Sequence, residues 1–324
     1  MKYFESLACL YCYHYFNLNI QSETKMNQNY TPQQLANMAL VLRIGLGIVF
    51  IIGGLSKLSQ LLDESASDAM VSSYMGSSGY INQLFQDFFF SNAFITPWGF
   101  LSALSGFEFV TGIALVVGFM VRPIALLYAF LLWTFVIALP VETVPGASVE
   151  LKTYTSPAIF VQIRDIALSG LMFVLFNLGA GYKAIDSRFI PQPKNIDWNS
   201  LGLVLRLSVG IVFLVAGFFG QYEKIATFAT FQPVLAVIGL ALIFANPTLV
   251  KIVGGFVGAV MVWYIFTKLN FDKSIIANLN GVKREFALIA ASYLLVSLGG
   301  GSRFNFMDIT NRSKAYLIPT KQKV

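Results

Sequence analysis

The chain has 324 residues, of which 56% are hydrophobic and 12% are charged, and its mean hydropathy is +0.68. Soluble domains average about 25% charged residues, so this composition excludes a disordered chain, a disulfide-rich scaffold and an ordinary soluble enzyme. The 22 Lys and Arg residues exceed the 16 Asp and Glu residues. In a membrane protein such residues set the orientation, and we therefore expect no nucleic-acid partner.

Residues 1–25 contain Cys9, Cys12 and the one histidine, His14. We interpret this segment as a poorly ordered extension before a start at Met26, with a targeting segment and a C-x-x-C redox pair as the alternatives. The rest of the chain has no Cys and no His, so we expect no haem, iron–sulfur or zinc site there, and no metal site is predicted. Redox chemistry would need a diffusible cofactor or a partner subunit.

The hydropathy pattern predicts an all-α integral membrane protein. A membrane helix needs about 20 mostly apolar residues, and eight stretches approach this length, two of them short. They lie at 37–57, 98–120, 123–140, 158–180, 200–220, 231–246, 249–268 and 284–300. Prolines near the starts of several of these stretches fit the first turn of a helix.

The connections between these stretches predict the orientation. An even number of spans places both termini on one side, and Lys and Arg are concentrated there. The positive-inside rule therefore predicts cytoplasmic termini and outward-facing connections at 58–96 and 141–157. The long 58–96 connection ends in QLFQDFFFSNAF, residues 83–94, which resembles a Phe-rich interfacial helix. Either that helix or a packed loop would place a lid near any outer site.

An internal repeat divides the chain into two parts. Three pairs of segments match one another: 43–54 with 206–217, 163–168 with 283–288, and 179–183 with 299–303. We therefore predict two tandem four-helix bundles. The predicted units are an extension at 1–36, a first membrane unit at 37–190, a second at 191–306 and a cytoplasmic tail at 307–324.

Charged residues inside the predicted spans are the candidate functional residues. Glu108 lies near the middle of a span, where a carboxylate is costly unless it is paired, protonated or hydrated. It is a candidate for proton transfer, and a structural hydrogen bond is the alternative. Lys57 either reaches the outer interface or contacts an anion or a quinone. Arg164 and Asp165 begin a span on the same side, where we expect them to pair with Glu108 and Lys57 or to form a structural ion-pair network.

The two halves differ at these positions. The alignment places Glu108 opposite Gln232, which indicates that the first half carries the chemistry and that the second is mainly a scaffold. Arg43 and Arg206 do recur, and we expect each to bind a lipid phosphate or a helix end. The glycine triplets at 179–181 and 299–301 lack a Walker A pattern, so we interpret them as helix C-caps.

The motifs of the first half point to a family. Residues 42–58 read LRIGLGIVFIIGGLSKL, a span with Glu108 follows, and a G-F-x-x-R turn occupies 118–122. This combination resembles the DoxX/DoxD superfamily. Residues 153–181 look particularly like the DoxD type, the small membrane subunit of thiosulfate:quinone oxidoreductase.

The resemblance covers residues 37–190, and the second half resembles a degenerate DoxX unit. It implies a multi-pass protein of the bacterial cytoplasmic (inner) membrane that transfers electrons from thiosulfate to a quinone and yields tetrathionate. It also implies a partner subunit such as DoxA, which no segment here clearly resembles.

Three hypotheses about function remain open. In the first, the chain is a quinone-linked oxidoreductase subunit in which a small anionic substrate approaches near Lys57 and Arg164. Glu108, Arg164 and Asp165 are then the catalytic candidates, and Lys57 and Glu108 the quinone or anion contacts. In the second, the chain is a non-catalytic structural or assembly subunit of a larger membrane complex. In the third, Glu108 lies on an ion or small-molecule pathway.

Overall fold

The structure, a computed structural model, describes residues 30–75, 79–91, 94–139, 158–193, 196–219 and 232–306. The described residues form ten α-helices and one short 3₁₀ turn, with no strand among them. The Cys9–Cys12 pair, the 141–157 connection and the predicted tail at 307–324 lie outside the described residues.

The helices fall at all eight positions predicted from hydropathy, with two further short helices in the 58–96 segment. In chain order they are α1 (Pro32–Leu61), α2 (Ser67–Tyr74), α3 (Gln83–Phe90), α4 (Pro97–Val117), α5 (Val121–Ile137), α6 (Ala158–Leu178), α7 (Trp198–Phe219), α8 (Gln232–Phe244), α9 (Pro247–Lys268) and α10 (Ile275–Leu298).

Local capping explains where two helices begin earlier than hydropathy predicted. Thr31 and Gln34 form a capping box that starts α1 before the apolar stretch. The side chain of Ser274 accepts a hydrogen bond from the Ala277 N–H and starts α10 nine residues before the predicted span. As a result, α10 carries a charged segment into the bundle.

Among the described residues, four helices are long and apolar enough to cross a membrane: α1, α4, α7 and α9. The helices α5 and α8 are apolar but shorter. The chain is therefore a multi-pass membrane protein, and the full count of eight spans stays a prediction.

The two halves share one hydrophobic core, which contains buried residues from every long helix. Within the first half, α1 packs on α4 and α5 packs on α6; within the second, α7 packs on α8 and α9 packs on α10. Between the halves, α1 packs on α10 and α6 packs on α7. The helix pairing within the second half thus follows the same order as that within the first, and the internal repeat stays a prediction.

Arg43 and Arg206 have equivalent roles in the two halves. Both side chains are almost fully buried and bind backbone carbonyl groups at helix ends and in loops. Of the two expected roles, the structure shows binding to a helix end. Arg43 donates to the carbonyls of Leu115, Val116, Tyr182 and Lys183, and Arg206 to those of Ile243, Ala245 and Arg303.

The glycine triplets end α6 and α10. Gly179 and Gly299 directly follow these helices and have φ values of +79° and +72°. This left-handed region favours glycine. The prediction that the triplets are helix C-caps is confirmed.

Candidate functional site

A cavity of about 1200 Å³ lies where the two halves meet. Its polar lining comes mainly from α1, α4, α6 and α10. Its aromatic lining comes from several helices and from Tyr80, and includes Phe85 and Phe89 on α3 and Phe100 on α4. The charged residues that line it are Lys57, Glu108, Arg164, Asp165, Lys268, Lys273, Lys283, Arg284 and Glu285. All four candidate residues from the sequence therefore lie at one cavity.

Lys57 and Glu108 form an ion pair inside this cavity. The Lys57 Nζ atom lies 2.6 Å from Glu108 Oε2 and 2.7 Å from Glu108 Oε1. The two side chains are 15% and 7% exposed. Lys57 thus extends along the bundle towards Glu108, not outward to the interface. The carboxylate has the partner that a charge at this depth requires.

The close approach of α1 and α4 makes this pair possible. A Cβ atom on Gly54 would lie 2.5 Å from the Ser105 carbonyl oxygen and 2.6 Å from the Phe109 nitrogen. Only a residue without a side chain allows the two backbones to come so close.

A second ion pair joins the two halves. Asp165 on α6 accepts hydrogen bonds from Arg284 on α10, with 2.9 Å between Oδ1 and Nη2 and 3.2 Å to Nε. The observed partner of Asp165 therefore differs from Lys57, the cationic candidate that the sequence suggested. Arg164 and Glu285 are both almost fully buried, at 4% and 1% exposure, and line the same wall.

The sequence reasoning did not select Lys283, although it lies beside the first pair. Its Nζ atom donates a hydrogen bond of 2.8 Å to Asn280 Oδ1. A Cβ atom on Gly53 would lie 3.3 Å from Lys283 Nζ and 3.4 Å from Glu108 Oε2. The lysine of α10 and the glutamate of α4 therefore both lie next to the gap over Gly53.

The signal that could have found Lys283 was present in the repeat. The alignment already matched residues 163–165 with 283–285, but the second half was expected to be mainly a scaffold. That expectation was too narrow, because α9 and α10 supply charged groups on the cavity wall. The described lining residues include six cationic side chains and three acidic ones.

Described residues of the 58–96 segment form one wall of the cavity. On α3, Phe85 and Phe89 line the cavity, whereas Leu84 and Phe88 on the opposite face are 64% and 76% exposed. Asn82 holds this helix in place: its amide donates to the carbonyls of Ile137 and Leu139 at the end of α5, and its oxygen caps α3. The segment thus combines the helix and the covering role that the sequence predicted.

The lining chemistry fits a small polar ligand with an apolar body. Ammonium and guanidinium groups offer hydrogen bonds to acceptor oxygens, and aromatic rings offer an apolar surface. In the described part of the chain, no group of three or more His, Cys, Asp or Glu side chains is placed to hold a metal ion.

Comparison with known protein families gives a match to part of the first half. The DoxX family model matches residues 38–140, a range that contains most of α1, all of α2 to α5, the Lys57–Glu108 pair and the 58–96 segment. No curated protein and no solved structure matches the chain. Residues 38–140 of this membrane protein therefore form a DoxX domain.

Proposed function

We propose that this protein is the membrane subunit of a quinone-linked oxidoreductase, with thiosulfate as the electron donor. The observation that carries this proposal is the cavity, in which the buried Lys57–Glu108 pair lies next to an aromatic wall. The DoxX domain, which includes both residues of the pair, supports the same assignment.

The donors on the cavity wall fit a quinone head group. Lys57 offers N–H groups to a carbonyl oxygen, and Phe85, Phe89 and Phe100 offer apolar surface for a ring and the start of an apolar tail. When bound, a quinone takes up two electrons and two protons, which balances the joining of two thiosulfate ions through a sulfur–sulfur bond to give tetrathionate.

The residues of the first half have distinct roles in this proposal. Glu108 holds and releases a proton, and Lys57 keeps its carboxyl group in place through the 2.6 Å contact. Asp165 and Arg164 shape the wall beside them, with Asp165 fixed by Arg284. The catalytic role therefore belongs to Glu108, and Arg164 and Asp165 position the groups around the substrate.

The proposal extends to the surroundings of the protein. The DoxX/DoxD resemblance supports a bacterial inner membrane as its location. The positive-inside rule supports cytoplasmic termini, and the cavity would then open outward. Membrane lipid surrounds the apolar helices, and at least one further protein subunit completes the enzyme. The second half is then a repeat of the first that completes the cavity wall.

The test uses the full-length protein, purified from membranes in mild detergent. Mass spectrometry measures the extracted quinone and co-purifying proteins, and a spectroscopic assay follows thiosulfate-dependent reduction of decylubiquinone. We expect bound quinone and turnover in the purified complex. In Glu108→Gln, turnover should fall about 100-fold or more, the range for loss of a general acid–base group.

Glu64→Gln is the matched control, since Glu64 is an exposed glutamate of the outer segment. It should retain full activity. Stoichiometric partner proteins without quinone and without turnover would contradict the proposal and favour the structural-subunit hypothesis. Full activity in Glu108→Gln would remove the role of that residue.

A further inference from the structure

Lys283 differs from the other lysine of the ion-pair cluster, Lys57, because it is not bound to a carboxylate among the described residues. Among the described residues it forms no ion pair with a carboxylate, and its ammonium group is held by the neutral Asn280 side chain. A partly buried ammonium group without an anion is costly. This cost would be offset if an anion from outside the chain bound there.

The neighbouring charges do not supply that anion. Lys57, Arg284, Glu108 and Asp165 all act electrostatically on Lys283. Glu108 is bound to Lys57 and Asp165 is bound to Arg284, so each carboxylate already has a cationic partner. Both carboxylates that act on Lys283 are therefore bound to another cationic side chain.

The repeat provides an independent reason to assign Lys283 a ligand. In the alignment of the two halves, Arg164 corresponds to Arg284 and Asp165 to Glu285, but Ile163 corresponds to Lys283. The same helix position in the first half is thus occupied by a shorter, apolar side chain. Helix packing at this position does not need a lysine, so its charge is the property that requires an explanation.

We propose that Lys283 binds a negatively charged oxygen of a small oxyanion in this cavity, with Asn280 holding the ammonium group towards the gap over Gly53. This inference rests on the proposed function, because the oxyanion is the anionic substrate of that reaction. It assigns the binding of this substrate to a residue of the second half of the chain. The binding site is then composite, with Glu108 from the first half and Lys283 from the second both next to the gap over Gly53.

The test measures binding without turnover. Thermal unfolding of the full-length protein in detergent is followed by tryptophan fluorescence while thiosulfate, sulfate or chloride is added at equal ionic strength. We expect thiosulfate or sulfate to raise the unfolding temperature more than chloride. In Lys283→Ile, which installs the first-half residue, the apparent Kd for the oxyanion should rise about tenfold or more.

If the isoleucine variant does not fold, Lys283→Gln gives the same comparison. Lys251→Gln is the control, because Lys251 is exposed on α9. Unchanged oxyanion binding in a folded Lys283 variant would overturn the inference, as would equal effects of oxyanions and chloride on the wild-type protein. Decylubiquinone reduction is measured separately. Its absence in a protein that binds oxyanions through Lys283 would contradict the proposed function and leave this inference standing.

Discussion

The Oδ1 atom of Asp165 on α6 lies 2.9 Å from the Nη2 atom of Arg284 on α10, and this ion pair connects the two halves of the protein inside the cavity. Both residues belong to the matched segments of the repeat, in which Arg164-Asp165 corresponds to Arg284-Glu285. A charge of one half is therefore bound by the equivalent segment of the other. The cavity wall depends on both halves being present and correctly packed.

This pair predicts a measurable coupling. Asp165→Asn and Arg284→Gln should each lower the stability of the protein, because each leaves a largely buried charge without its partner. The double variant should lose less than the sum of the two, with a coupling free energy of about 1–3 kcal/mol. Unfolding of all four proteins in the same detergent measures it. Additive effects would show that the pair contributes no coupling.

The two adjacent glycines of α1 should respond differently to alanine. In Gly54→Ala the new Cβ would meet backbone atoms of α4 at 2.5 Å and 2.6 Å, so we expect a loss of about 1–3 kcal/mol in stability. In Gly53→Ala the new Cβ would meet the flexible ends of Lys283 and Glu108, so the fold should persist while ligand binding weakens. Unfolding temperature and oxyanion binding, measured on both variants, separate the two effects. Equal loss of stability in both would contradict this prediction.

Arg43 should be essential for stability, and a lysine at this position should not replace it. In Arg43→Met, backbone carbonyls at the end of α4 and after α6 lose their donors, and each buried unsatisfied group costs about 1–3 kcal/mol. Lysine offers a single ammonium group, which does not match the spread of a guanidinium. We therefore expect Arg43→Lys to remain clearly less stable than wild type. The folded fraction recovered in detergent measures this, with Arg188→Lys, at an exposed position, as the control.

Asn82 should control the position of α3. Removing its side chain in Asn82→Ala eliminates the cap of α3 and two hydrogen bonds to the end of α5, at a cost of about 1–3 kcal/mol. Hydrogen exchange should accelerate in α3 and stay unchanged in α9 and α10. Gln83→Ala is the control, because that exposed side chain bonds only within α3. Equal acceleration in both variants would show that Asn82 does not anchor the helix.

The sequence by itself determined the helical membrane architecture. Apolar stretches of sufficient length, prolines at helix starts and glycines after helix ends depend on local backbone chemistry, and they placed all eight long helices. The DoxX resemblance of the first half is likewise a local property of residues 38–140. Glu108 could be selected from its depth alone, since an ionisable residue inside a span is unusual.

Only the tertiary structure decided which charges meet. Lys57 binds Glu108, Asp165 binds Arg284, and Asp186 receives hydrogen bonds from the first backbone N–H groups of α5. These partners lie far apart in the chain, so no local pattern specifies them. Lys283 could be selected only from the tertiary structure, for the same reason. The packing of α10 on α1 brings this lysine of the second half close to Glu108 of the first.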